Sequence, residues 1–126
     1  RLALVDEVMH ARGDLPLVSP DAAMAEVVIE MSAKGFGIAG VVSEGCLVGA
    51  ITDGDLRRHS ANLFAYSAAE VMTPVPKVVA EGTLCEDALA LLQEHRITAL
   101  FVTAHDNPER PVGLVNIHDL TRLSHG

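Results

Sequence analysis

One strand-to-helix junction occurs twice in this chain, and that duplication constrains the fold more than any other feature of the sequence. The stretch Leu47-Val48-Gly49-Ala50-Ile51-Thr52-Asp53-Gly54-Asp55-Leu56-Arg57-Arg58 returns as Pro111-Val112-Gly113-Leu114-Val115-Asn116-Ile117-His118-Asp119-Leu120-Thr121-Arg122. Each copy is an apolar strand, a hydroxyl or amide residue, two intervening residues, an Asp, a Leu and a nearby Arg. The flanks repeat in the same order. Glu7-Val8-Met9 matches Glu70-Val71-Met72, Met24-Ala25-Glu26 matches Leu84-Cys85-Glu86, and Val41-Val42-Ser43 matches Phe101-Val102-Thr103. A repeat of roughly sixty residues is too long for a solenoid unit and suits two similar half-modules.

Within the first half, Leu15-Pro16-Leu17-Val18 reads as extended, because proline holds its predecessor in β or polyproline geometry. Ser19-Pro20-Asp21 reads as a helix start, with Ser19 the N-cap and Pro20 the first helical residue. Met24, Val27, Val28 and Met31 then fall at the i, i+3, i+4 and i+7 spacing of an amphipathic stripe. Gly35 ends that helix, with Lys34 in its last turn. Residues 38–43 and 46–52 read as the arms of a hairpin turning at Glu44-Gly45, and a second helix follows from Asp53.

The second half repeats this order. Residues 75–79 are extended, Thr83 and Glu86 form a capping box, and Leu84, Ala88, Leu91 and Leu92 make the helical stripe. A strand over 98–103, a polar loop over 105–110, a return strand over 112–116 and a closing helix over 117–123 complete it. Residues 2–11 are a lead-in, and 60–69 connect the halves, which divide at 1–61 and 62–126. Each half is strand, helix, strand, strand, helix. Neither small sheet is comfortable alone, so the two halves are expected to fold together.

Charge excludes several partners. The chain has 9 Lys+Arg against 17 Asp+Glu, a formal net charge of -8. A non-specific nucleic-acid binder needs a basic stripe to displace counterions, and an anionic membrane surface needs the same. Neither nucleic acid nor membrane is expected as a partner, and no apolar run approaches spanning length. Cys46 and Cys85 show no CxxC or framework spacing, which fits reduced thiols in a cytoplasmic protein. The chain opens at Arg1 with no initiator Met, as an excised domain would.

The junction residues carry two compatible readings. Thr52 with Asp55 forms a capping box, a purely local device. A helix start also attracts phosphate, and a carboxylate can accept both hydroxyls of a ribose. Asn116 and Asp119 are the matching pair, with an amide in place of the hydroxyl. Arg57 and Arg58 follow Asp55 and are the phosphate candidates, with Arg96 and Arg122 behind them. Gly35, Gly37 and Gly40 lie between a helix and a strand, the reverse of the dinucleotide fingerprint. The six histidines show no metal-ligand spacing, and no GxSxG elbow is present, so neither a metal nor a catalytic residue is assigned.

The duplicated strand-helix order, the Gly-apolar-apolar-Thr-x-x-Asp-Leu ending and the acidic-Val-Met openings resemble a tandem pair of CBS domains, a Bateman module. More narrowly, Met31-Ser32-x-Lys34-Gly35-x-Gly37, Val41-Val42, the 52–58 segment and Val71-Met72-Thr73-Pro74 resemble the CBS pair of bacterial D-arabinose 5-phosphate isomerases. The resemblance implies an α+β fold of two β-α-β-β-α repeats packed about a pseudo-twofold axis. It implies a regulatory module with no isomerase site of its own, from an enzyme of Kdo and lipopolysaccharide synthesis.

The implied ligand is a nucleotide or nucleotide sugar, CMP-Kdo or AMP or ATP, bridging the halves, with no cofactor required. Thr52, Asp55, Arg57, Arg58, Asn116 and Asp119 would hold it, the first junction ahead of the second. Modules would pair as a homodimer within a tetrameric parent. One departure bears on specificity: where many CBS repeats place Pro before the Val-Val strand, this chain has Gly40 and Leu100. A ligand-free module that only drives oligomerisation is the competing expectation.

Overall fold

The computed structural model describes residues 2–125. In chain order the elements are β1 (His10–Ala11), β2 (Leu17–Val18), α1 (Met24–Lys34), β3 (Ile38–Ser43), β4 (Cys46–Thr52), α2 (Asp53–Arg58), α3 (Ala68–Val71), β5 (Thr73–Pro74), β6 (Val78–Ala80), α4 (Cys85–His95), β7 (Ala99–Ala104), β8 (Asn107–Asn116) and α5 (Ile117–His125). Short 3-10 turns occupy Val5–Glu7, Arg12–Asp14 and Ser60–Ala65. The fold is α+β, with the strand-helix-strand-strand-helix order present in each half.

The chain separates into two compact units. One is Pro16–Pro76; the other joins the segment ending at Leu15 to the segment starting at Lys77. The units are therefore offset from the repeat boundary at 61/62. The cause is strand pairing. Each Val-Met lead-in adds a fourth strand to the sheet of the unit whose other strands belong to the opposite repeat. In the first unit the order is β2-β3-β4-β5, and β5 pairs antiparallel with β4, Gly49 facing Pro74 and Ala50 facing Thr73. In the second the order is β6-β7-β8-β1, and β1 pairs antiparallel with β8, Gly113 facing Ala11 and Leu114 facing His10.

The hairpin behaves as its turn residues require. Glu44 and Gly45 both take positive φ, 51° and 80°, the geometry of a two-residue turn whose twist matches the strands. Helix α1 ends on Gly35 in the left-handed region, with its N–H bonded to the Met31 carbonyl at 2.9 Å. Its stripe is buried at Met24, Val27 and Met31 against Ala39, Val41, Ile51, Ala68 and Val71. In the other unit Cys85, Ala88 and Leu92 pack on Val5, Val79, Leu100, Val102, Val115 and Leu120. Each fully buried aliphatic side chain contributes about 1.5–3 kcal/mol. A charge at Val27 or Ala88 would break its unit.

Three local expectations are corrected. Helix α1 starts at Met24, not at Pro20; Ser19 instead closes a turn, its Oγ donating to Asp21 Oδ1 at 2.6 Å. Thr83 does not cap α4, which has Leu84 at its N-cap; the Thr83 hydroxyl donates to the Ala80 carbonyl at 2.7 Å. In both cases a distant backbone group supplies the cap. Met24 N–H donates to the Tyr66 carbonyl at 3.1 Å, and Cys85 N–H donates to the Ala3 carbonyl at 2.8 Å. Isolated bridges at Ala23–Ser67 and Leu4–Leu84 fix the same crossings. A helix start needs its free N–H groups satisfied, and tertiary carbonyls serve as well as a side chain. Finally, the 105–110 loop is shorter than expected: β8 already begins at Asn107, with register shifts that accommodate the extra residues.

Candidate functional site

The first junction lies in the Pro16–Pro76 unit. Thr52 ends β4 in extended geometry and caps α2, its hydroxyl accepting from Asp55 N–H at 3.4 Å. Asp55 returns the bond: its Oδ2 accepts from Thr52 N–H at 2.9 Å and from the Thr52 hydroxyl at 3.2 Å. Its Oδ1 accepts from Arg58 Nη2 and from the Thr73 hydroxyl, the latter at 2.8 Å. The His59 ring donates from Nδ1 to the Asp55 carbonyl at 3.0 Å. Asp55 is 2% exposed, so a carboxylate here needs this many donors. Thr73 is brought in by β5, whose approach depends on Gly49. A Cβ at Gly49 would collide with Met72 Sδ and lie 2.8 Å from its Cγ.

The second junction lies in the other unit and is built alike from different residues. Asn116 ends β8, and its Oδ1 accepts from Asp119 N–H at 3.0 Å. Asp119 Oδ1 accepts from Arg122 Nη2 at 2.6 Å. Asp119 Oδ2 accepts from His10 Nε2 at 2.8 Å; a carboxylate only accepts, so that ring nitrogen carries the proton. Asp119 is 8% exposed. His10 stands where Thr73 stands in the first junction, one residue after a Val-Met pair. Met9 lies on Gly113 as Met72 lies on Gly49.

The structure thus groups Thr52, Asp55 and Arg58, and separately Asn116 and Asp119. Arg57 does not join them: it is exposed and makes no ion pair among the described residues. Arg58 and Arg122 are the equivalent arginines, each three residues after its Asp. Both are largely exposed, so their ion pairs are screened and worth little on their own. Sequence reasoning missed Thr73 and His10. The signal was present, since both follow the repeated Val-Met dipeptide, but nothing local connects either to an Asp 18 or 109 residues away.

The family model for the CBS domain matches residues 5–62 and again 68–126. The chain belongs to the CBS domain family. Each CBS repeat ends in one of the two junctions. The chain is 38% identical over 125 residues to arabinose 5-phosphate isomerase KdsD of Pseudomonas aeruginosa, covering 96% of this chain and 38% of that enzyme. The enzyme from Francisella tularensis is 35% identical over 122 residues, with 37% of its length covered. The chain thus spans less than two fifths of the curated relatives it matches. Among solved structures, the CBS domain pair of protein MJ0100 in complex with 5-methylthioadenosine and S-adenosyl-L-methionine superposes with a TM-score of 0.86 at 22% identity, covering 100% of this chain and 98% of that one. CBSX2 of Arabidopsis thaliana in complex with AMP gives 0.81 at 25% identity, covering 97% and 96%.

Proposed function

We propose that this CBS pair is the ligand-sensing regulatory module of an arabinose 5-phosphate isomerase, and that it binds a nucleotide or nucleotide sugar. The observation that carries the reading is the paired construction of the junctions. Each holds a nearly buried aspartate beside an arginine whose guanidinium stays largely in solvent. A carboxylate suits ribose hydroxyls and an exposed guanidinium suits a phosphate. Thr52, Asp55 and Arg58 serve one junction; Asn116 and Asp119 serve the other. CBS relatives of this fold carry AMP or S-adenosyl-L-methionine, and the likeness to KdsD supports an isomerase parent. CMP-Kdo, the activated product of Kdo synthesis, is the feedback ligand that fits such a parent, with AMP and ATP as alternatives. A pair of modules within a tetrameric parent completes the proposal.

Regulation requires the ligand to favour one conformation over another. The test is a thermal-shift series on this chain with AMP, ATP, CMP and CMP-Kdo. A ligand at 100 times its dissociation constant should add about 2.7 kcal/mol to unfolding. No shift with any of the four refutes the reading. One observation favours a ligand-free scaffold instead: Asp55 is already satisfied by protein donors alone. Under that reading, loss of the module changes the oligomeric state and no nucleotide responds.

A further inference from the structure

Equivalent lead-ins are docked with different firmness in the two units. Residues 68–74 form α3 and β5, and both Ala68 and Val71 are fully buried. Residues 5–11 make a 3-10 turn and the two-residue β1, and of them Val5 alone is fully buried. Val8, the counterpart of Val71, is half-buried, while Leu2, Asp6 and Glu7 are exposed. The groups that hold this segment are distant in sequence. Val5 N–H donates to the Thr83 carbonyl at 2.8 Å, Cys85 N–H to the Ala3 carbonyl at 2.8 Å, and Gly82 N–H to Asp6 Oδ1 at 2.7 Å. Leu4 bridges Leu84, β1 lies on β8, and His10 reaches Asp119. The rest of the unit runs unbroken from Lys77, and β6, β7 and β8 pair with one another without the segment. Beyond β1 the chain leaves through an exposed turn at Arg12–Asp14, where Arg12 holds φ 53°, a left-handed value that few residues other than glycine adopt.

Segments that open locally are those with few buried side chains and with hydrogen bonds near solvent. We propose that residues 2–11 are a detachable strap, which undocks in one piece about the Arg12–Asp14 turn while β6, β7, β8, α4 and α5 stay folded. Release uncovers the edge of β8 and the Cys85 thiol, which is 6% exposed and shares the core around α4 with Val5. It also frees Cys85 N–H at the start of α4 and takes the His10 donor away from Asp119. One motion therefore alters a sheet edge, a helix start and a buried thiol together. Regulation needs two conformations, and the docked and undocked strap are two. The strap stands whether or not the nucleotide reading holds.

Amide hydrogen exchange of this chain, followed residue by residue by NMR, tests the strap. The Val5 and Cys85 amides bond across the strap boundary; the Glu81 and Ile117 amides bond to Thr103 and Thr98, within the rest of the unit. After correction for neighbouring side chains, the first pair should exchange at least about tenfold faster than the second. Low urea should barely accelerate the first pair, because little surface opens with the strap, and should accelerate the second pair steeply. In a Cys46→Ser chain, the Cys85 thiol should react with a disulfide reagent with the same shallow urea dependence. Val5→Ala should speed that reaction by roughly tenfold or more. Equal exchange of the two amide pairs overturns the proposal, as does a Cys85 thiol that reacts only with the steep urea dependence of global unfolding. The exchange comparison needs no substitution, so it decides the matter even where a variant fails to fold.

Discussion

Replacing Gly49 by Ala should destabilise the protein, although alanine is the better residue almost everywhere else. The added methyl would collide with Met72 Sδ, lie 2.8 Å from its Cγ and lie 3.1 Å from its Cβ. The last two matter most. A thioether end can swing away, but Met72 Cβ cannot move without its backbone. That backbone is held by the Met72 N–H bond to the Ala68 carbonyl at 2.9 Å and by pairing of Thr73 with Ala50.

Overpacking of this kind costs about 1–3 kcal/mol. Removing a glycine restricts the unfolded chain and returns about 0.4–1 kcal/mol. The net loss is about 1–2 kcal/mol. At about 2.1 cal/mol/K of unfolding entropy per residue, one kcal/mol shifts the Tm of a chain this size by about 4 °C. Gly49→Ala should therefore melt about 4–8 °C lower by circular dichroism. A cycle with Met72→Ala isolates the cause. In the Met72→Ala background the glycine replacement should become neutral or slightly stabilising, a coupling of about 1–3 kcal/mol. Gly113 and Met9 should behave in the same way. Strict additivity in both cycles, or a Gly49→Ala protein that melts at or above the original, would refute the reasoning.

Three further outcomes follow from the contacts described. Burial, and secondarily the Asp6 carboxylate, raise the Cys85 thiol above its ordinary value of 9.0. Cys46 should therefore react first with a disulfide reagent at neutral pH, and Asp6→Asn should lower the pH at which Cys85 ionises. The sign for stability follows: the folded protein holds this proton longer, so the contribution is complete below about 9 and is lost as pH rises through the folded value. Thr73→Val leaves a buried Asp55 oxygen short of a donor and should cost about 1–3 kcal/mol in urea unfolding, against less than 1 kcal/mol for the exposed Thr98→Val. Val5→Ala should cost about 2 kcal/mol, because this residue near the start of the chain is 0% exposed in the core around α4.

The junctions were readable because they are local. A capping box spans four residues, and its geometry needs nothing from the rest of the chain, so Thr52, Asp55 and Arg58 meet where the spacing puts them. The 38–52 hairpin and the α1 stripe follow the same logic of short-range periodicity and turn chemistry. The site was only half visible, however. Arg57 and Arg58 were equal candidates in sequence, and the helical turn selected Arg58, because i+3 lies over Asp55 and i+2 does not. Ser19 and Thr83 looked like N-caps, yet the caps of α1 and α4 come from the Tyr66 and Ala3 carbonyls across the fold.

What the amino-acid order determined by itself is the duplication, the strand and helix identities, and the two Asp-centred junctions, since each depends on side chains within one or two turns. Tertiary structure decided where the lead-ins go. His10, after Val8-Met9, joins the sheet whose strand β8 runs into the helix carrying Asp119, and Thr73, after Val71-Met72, joins the one whose strand β4 runs into the helix carrying Asp55. A two-residue edge strand has too little pattern to name its partner. Its address is set by a glycine that leaves room for a methionine and by a buried carboxylate that still needs a donor.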